Sequence, residues 1–214
     1  GAHRSAEGGA GMVKVLVASR NQGKVRELEQ VLRELNIEGV ELVSLHDAPP
    51  YPDPVEDGLT FAENALLKAR AGAKATGLPC VADDSGLTVK ALNGMPGILS
   101  ARWSGTHGDD QANNDLLLAQ MADINDRRAA FVSCCVLATP GGEEYTAEGR
   151  WDGTLLREPR GEGGFGYDPL FAPADAPGRS AAELTPEEKN SRSHRGKALR
   201  ALAPRIAELT TTPR

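Results

Sequence analysis

Aromatic residues are scarce in this chain, nine of 214. A surface that stacks successive bases of single-stranded nucleic acid needs more rings than that. Acidic residues outnumber basic ones by 30 to 24, and the net charge of −6 removes the positive field such a partner would follow. Long apolar runs are also missing, and nothing approaches the ~20 residues of a membrane span. Three cysteines, Cys80, Cys134 and Cys135, make neither a disulfide framework nor a Cys-x-x-Cys pair. They read as small buried hydrophobes of a protein kept in a reducing cytoplasm. The histidines (His3, His46, His107 and His194) are scattered without ligand spacing, which argues against a zinc site.

What remains is a chain long enough for a substantial core. Residues 1–11, "GAHRSAEGGAG", lack any apolar segment and read as a disordered tail or expression remnant, leaving 12–214 as a single domain. "VKVLVAS" is a buried-strand run, followed by "RNQGK" and a helical pattern with Val25, Leu28, Val31, Leu32 and Leu35 on one face. Strand, glycine loop, helix is the opening of an α/β domain. A second strand is expected near Leu42–Leu45. After a proline-rich loop, Thr60 and Glu63 form a capping box for a helix to about Thr76. Short strands at Cys80–Asp83 and about Leu87–Lys90 precede a helix from about Asp110 to Met121. Residues 129–156 read as an antiparallel meander of several pieces. A second capping box, Thr185 to Glu188, introduces the last helix, which carries Leu199, Leu202, Ile206 and Leu209.

Five places carry chemistry. In "SRNQGK", Lys24 falls in the first turn of a helix, where free amides and a cation together suit a phosphate; an exposed lysine in an ordinary turn is the plainer reading. Lys68 lies among Phe61, Ala65, Gly72 and Ala75 on its helix, so it either snorkels outward or meets an anion. In "VADDSG", Asp83 and Asp84 follow an apolar run. Strand geometry points neighbouring side chains to opposite faces, so the two need not share one site. A polar turn and a Mg²⁺ site, joined by Glu56 or Asp57, are both compatible with the pair. "GEGGFGYDP" does not fit the dinucleotide-binding glycine pattern, but it can bring backbone amides and an aromatic ring to a flat ligand. Downstream, Lys189, Arg192, His194, Arg195 and Lys197 read either as a solvated basic helix start or as cations for a ligand. Cations for a polyphosphate, carboxylates for Mg²⁺ and an aromatic loop for a base together describe a nucleoside triphosphate site.

"SRNQGK", "GLTFAENALLKA", "VADDSGL", "LNGMPGILSAR", "GEGGFGYDPLF" and "AELTPEEKNSRSHRGKAL" occur in an order that resembles the inosine triphosphate pyrophosphatase family, the bacterial XTP/dITP diphosphatases, from about Val13 to Leu209. One departure is Ser19-Arg20, where relatives often carry Thr-Gly. The resemblance implies an elongated, two-lobed α/β domain with a central mixed sheet and a nucleotide cleft between the lobes. It also implies a homodimer, while the composition points to the cytoplasm and to neither nucleic acid nor membrane as a partner. The implied reaction is hydrolysis of ITP, dITP or XTP to the monophosphate and pyrophosphate with Mg²⁺. On the resemblance, Ser19, Arg20, Asn21, Gln22, Gly23, Lys24 and Lys68 contact the phosphates. Asp84 is the proton acceptor and metal ligand, with Asp83 and Glu56 in the metal shell. Ser85 touches substrate. Phe165, Gly166, Tyr167 and Asp168 hold base and ribose, and Lys189, His194 and Arg195 complete the pocket. A donor such as Arg195 pairs with a 6-oxo purine and is left unmatched by adenine, a difference that can reach roughly 10⁴ in specificity.

Overall fold

A computed structural model describes residues 11–211. The expected tail, 1–11, lies outside the described residues apart from Gly11. Six strands form one mixed sheet in the order β2-β1-β3-β4-β5-β6: β1 (Val13–Val17), β2 (Val40–Ser44), β3 (Cys80–Val89), β4 (Arg128–Ala138), β5 (Glu144–Leu155) and β6 (Phe171–Pro173). β1 is parallel to both β2 and β3, and β6 is antiparallel to β5. The helices are α1 (Gln22–Glu34), α2 (Phe61–Thr76), α3 (Asp110–Gln120), α4 (Pro186–Arg192) and α5 (His194–Glu208).

The described residues divide into two compact units, one made of 11–84, 134–147 and 198–211, the other of 85–133 and 148–197. The first unit is a three-layer stack dictated by strand alternation. Val13, Val15 and Val17 of β1, Val81 of β3 and Cys135 and Leu137 of β4 pack with Val25, Leu28, Val31 and Leu32 of α1 and with Leu202 and Ile206 of α5. The intervening residues Leu16, Cys80, Ala82, Val136 and Ala138 face the other way, onto Ala65, Ala69 and Ala73 of α2. The alanine face lets α2 lie close to the sheet; a methyl on Gly72 would run into the Cys80 sulfur and Leu16. All three cysteines are buried thiols outside any disulfide, and burial pushes the Cys80 thiol up to about 12. The second unit has its own core, in which Phe131, Trp151 and Phe171 pack with Leu87, Val89, Leu117, Met121 and Leu170.

Helix ends follow local chemistry. Asn21 caps α1 by accepting from the Gly23 N–H, and α1 stops at Glu34, which leaves Leu35 beyond the buried stripe at 43% exposure. Only half of the box expected at α2 forms. Thr60 accepts from the Glu63 N–H, whereas the Glu63 carboxylate takes the Leu59 N–H. The Thr185–Glu188 box is complete, but it starts the short α4; a break at Ser193, whose hydroxyl accepts from the Gly196 N–H, makes α5 a separate helix.

Two strand expectations need correction. The pieces at Cys80–Asp83 and Leu87–Lys90 are one ten-residue strand, and Asp83-Asp84-Ser85-Gly86 is part of it rather than a turn. Turn-forming residue types yield to the sheet here because the aspartates find a lysine and a side-chain amide on the helices packed against it. Likewise the pieces of the meander merge into β4 and β5. At Gly153 the β6 backbone comes close: a Cβ there would overlap the Ala172 carbonyl.

Candidate active site

The first unit builds a charged cluster where β1 stops and β3 continues. β1 ends at Val17, opposite Val81, and the Ala18 N–H still bonds to the Val81 carbonyl at 2.9 Å. Beyond that point β3 keeps β4 on one edge but loses β1 on the other, which leaves the half-buried Asp83 and Asp84 beside the β1–α1 loop. The connection from β1 goes through α1 to β2 on one side, and the chain returns through α2 on the opposite face to β3 on the other. Such reversals at the carboxyl ends of parallel strands leave a crevice suited to ligands.

Alternation along β3 divides the two aspartates. Asp83 shares the side of Val81 and reaches α1, where the Lys24 ammonium lies 2.9 Å from its Oδ1. Asp84 shares the side of Ala82 and accepts a hydrogen bond from Asn64 Nδ2 of α2 at 3.2 Å. Lys68, one turn beyond Asn64, donates to the Asp83 carbonyl oxygen and lies 3.3 Å from Glu56 Oε1. It therefore meets anionic and carbonyl partners instead of snorkelling. Burial raises the Asp84 pKa above the usual carboxylate range; Lys68 and the Asn64 bond pull it down, and Glu56 and Asp83 push it up.

The loop before α1 is tightly made. Ser19 Oγ accepts from the Asn21 N–H, Gln22 reaches the Ser44 hydroxyl, and Gly23 supplies the N–H that Asn21 caps. Arg20 is turned outward onto Asp53, with N–O distances of 3.2 and 3.4 Å. A cavity of about 610 Å³ lies at the other end of the strands around Met12, Lys14, Pro79, Tyr145 and Arg205 and contains none of these residues.

Among the described residues, no group of three or more His, Cys, Asp or Glu side chains is arranged to cage a metal ion. The donor set nevertheless fits Mg²⁺. That ion is commonly held by one or two carboxylates, with water and phosphate oxygens filling the remaining positions. Asp84 offers a largely buried carboxylate whose charge is under-compensated by its surroundings.

The second unit builds a different cluster on "GEGGFGYD". Asp168, only 3% exposed, accepts on Oδ2 from both the Phe165 N–H (3.1 Å) and the Lys189 ammonium (2.5 Å). The same ammonium sits 4.6 Å from the centroid of the Phe165 ring, which is 61% exposed. Gly164 is needed for this approach: its φ is +70° and a Cβ would overlap Asp168 Oδ2. Tyr167 is buried, donates to the Ser100 carbonyl at 2.6 Å and has its pKa raised by that burial. It is thus a strut of the loop. His194 is buried and stacks on Phe131 at 4.9 Å, and Arg195 beside it is half-buried. Ser85, the first residue of this unit, donates to the Ser133 hydroxyl at 2.8 Å.

Three side chains escaped the sequence reading: Asn64, Asp110 and Asn114. Asn64 joins the Gly58 N–H to Asp84, while Asp110 and Asn114 of α3 bond to the backbone of Gly166. Spacing offered a signal in each case, since Asn64 lies four residues before Lys68 and Asp110 four before Asn114, one face of a helix.

These features define a class, an α/β protein with a charged cluster at the switch point of a mixed sheet. The chain belongs to the Ham1 family, whose sequence model matches residues 15–205. It is 64% identical to a dITP/XTP pyrophosphatase of Corynebacterium efficiens, over 92% of this chain and 99% of that one. Against the dITP/XTP pyrophosphatase of Nocardia farcinica it is 62% identical, over 92% and 97%. Among solved structures, a nucleoside-triphosphatase/dITP/XTP pyrophosphatase of Mycobacterium abscessus is 61% identical, covering 91% of this chain and 100% of that one, with a TM-score of 0.76. The Ham1 protein of Staphylococcus aureus, at 37% identity over 92% and 99%, has a TM-score of 0.83.

Proposed function

We propose that this protein hydrolyses non-standard purine nucleoside triphosphates, dITP, XTP and ITP, to the monophosphate and pyrophosphate. The activity would clear such nucleotides from the precursor pool. The observation that carries the reading is the division of Asp83 and Asp84 by strand alternation, one held by a lysine and the other left with a raised pKa beside Lys68. It is supported by the dITP/XTP pyrophosphatases to which the chain is 56–64% identical over most of its length.

Lys24 and Lys68 are positioned by Asp83 and Glu56 before a phosphate arrives, so little side-chain ordering remains when the triphosphate binds. The N–H groups of the Ser19–Lys24 loop and of the α1 N-terminus add donors for phosphate oxygens. Asp84, kept in place by Asn64, accepts the proton of the water that attacks the α-phosphorus, while the lysines hold the charge that develops on departing pyrophosphate. Mg²⁺, held by Asp84 with Asp83 and Glu56 close by, would neutralise charge on the triphosphate. Phe165 offers an exposed ring to the base, and Lys189, His194 and Arg195 supply polar contacts to the nucleotide. The family resemblance extends the proposal to a single catalytic domain working as a homodimer in the cytoplasm, which sedimentation and fractionation test.

A product-resolved assay with dITP, XTP, ITP, ATP and GTP and added Mg²⁺ tests the reaction. Pyrophosphate from the first three, with little from the last two, is expected. Orthophosphate as the first product, or saturable ITP binding without turnover, overturns the reading.

A further inference from the structure

Gly166 is held at both ends of its residue by one helix. Its N–H donates to Asp110 Oδ2 at 2.9 Å, and its carbonyl accepts from Asn114 Nδ2 at 3.1 Å. Asp110 and Asn114 are four residues apart on α3, so a single helical face presents an acceptor and a donor to the two peptide groups that flank the Gly166 Cα. Asn114 is 8% exposed, and its Oδ1 is buried with no hydrogen-bond partner among the described residues. A buried amide oxygen left unsatisfied is unfavourable. Turning the amide over would not relieve it, because an oxygen would then face the Gly166 carbonyl oxygen. The orientation of Asn114 is therefore set by its bond to Gly166.

The clamp acts where the loop is otherwise freest. Gly166 has φ +61° and no atom within 4 Å of a Cβ position, so packing does not fix it. Its neighbours are fixed, with the Phe165 N–H on Asp168 and the Tyr167 hydroxyl on Ser100. Rotation about Gly166 would change the direction of the exposed Phe165 ring relative to Lys189 and Asp168. From this we infer that Asp110 and Asn114 are positioning residues for nucleotide recognition. They fix the peptide after Phe165 so that ring and lysine present one pre-formed surface to the purine. The inference rests on the pyrophosphatase reading for the identity of the ligand, while the clamp itself is independent of it. Pre-formed geometry of this kind strengthens binding chiefly by lowering the entropy lost on association.

Two measurements test it on the full chain. Hydrogen exchange of the segment 161–168 should accelerate about five- to tenfold in Asp110→Ala, as one lost hydrogen bond implies. In Asp110→Asn, whose amide oxygen still accepts from the Gly166 N–H, it should stay near the wild-type rate. With dITP and Mg²⁺, Asp110→Ala should raise KM about five- to tenfold and change kcat little, because ground-state positioning is lost while the strand-end chemistry is intact. Asp110→Asn should restore KM. Asn114→Leu, which removes both the donor and the orphaned oxygen, should repeat the Asp110→Ala pattern. Exchange and KM unchanged in Asp110→Ala overturn the inference. So does Asp110→Asn behaving like Asp110→Ala, which would assign the effect to charge instead of hydrogen bonding. A wild type that releases no pyrophosphate from dITP overturns the pyrophosphatase reading instead, and the exchange rates then decide the clamp alone.

Discussion

Around Asp83 and Asp84 the backbone is regular strand, and charged side chains pair across it; around Phe165 to Asp168 the backbone is irregular until a short turn at Asp168, and side chains from α3 and α4 hold it. In the first region, strand alternation assigns each carboxylate to its face, and the lysines follow from helix registers. In the second, position depends on hydrogen bonds to individual amides and carbonyls. A strand-borne group is thus insulated from single substitutions in its neighbours, whereas a loop-borne ring depends on each of its few tethers.

The largest separation between the regions is expected from Asp84→Asn. It should lower pyrophosphate release by roughly 10²–10⁴, the range for loss of a proton acceptor, with an unchanged far-UV CD spectrum. The same variant should be more stable than wild type at neutral pH in chelator. A carboxyl whose folded pKa lies above its unfolded one binds more protons when folded, so wild-type stability falls as pH rises through that interval. Below the unfolded carboxylate pKa the advantage of the variant should disappear, and Tm against pH for both proteins checks the sign.

Phe165→Ala should act on the other region. It should raise KM for dITP by roughly 5- to 100-fold, the range of a base–aromatic stack, and leave Tm almost unchanged because the ring is largely exposed. A fall in kcat with constant KM would contradict the division of labour between the two regions.

Gly164→Ala sharpens the contrast through stability. A positive φ and a collision with Asp168 should destabilise the protein by about 1–3 kcal/mol in urea unfolding and weaken nucleotide binding with it. Lys24→Met should have a smaller effect on stability, about 1–2 kcal/mol. Its pair with Asp83 is partly exposed, so the uncompensated carboxylate keeps some water. Adding Asp83→Asn to Lys24→Met should recover that stability without restoring phosphate affinity, as a double-mutant cycle would read.

Much of this was legible in the chain. The run "VKVLVAS" with the apolar stripe of α1 announced the strand–loop–helix opening, and burial of Val25, Leu28, Val31 and Leu32 follows that spacing. The three cysteines were readable as core because nothing in their spacing offered chemistry. Reading failed where residue type and tertiary partner disagree. Asp-Asp-Ser-Gly carries the composition of a turn, yet it continues β3 because Lys24, Lys68 and Asn64 satisfy what a turn would have left to water. Asp110 and Asn114 look like ordinary polar positions of α3, since their partner is a backbone unit more than fifty residues away.

Sequence alone determined the periodic elements, the helix starts at Asn21, Thr60 and Thr185, and the residue types gathered for a triphosphate. These are local: a cap, an apolar stripe or a motif is set within a few residues. Tertiary structure decided that Asp83 meets Lys24 and Asp84 meets Asn64, that Lys68 turns inward while Arg20 turns out to Asp53, and that α3 fixes Gly166. Each of those outcomes depends on which partner lies within hydrogen-bonding distance. That is a property of the packed sheet and helices, and periodicity along the chain does not encode it.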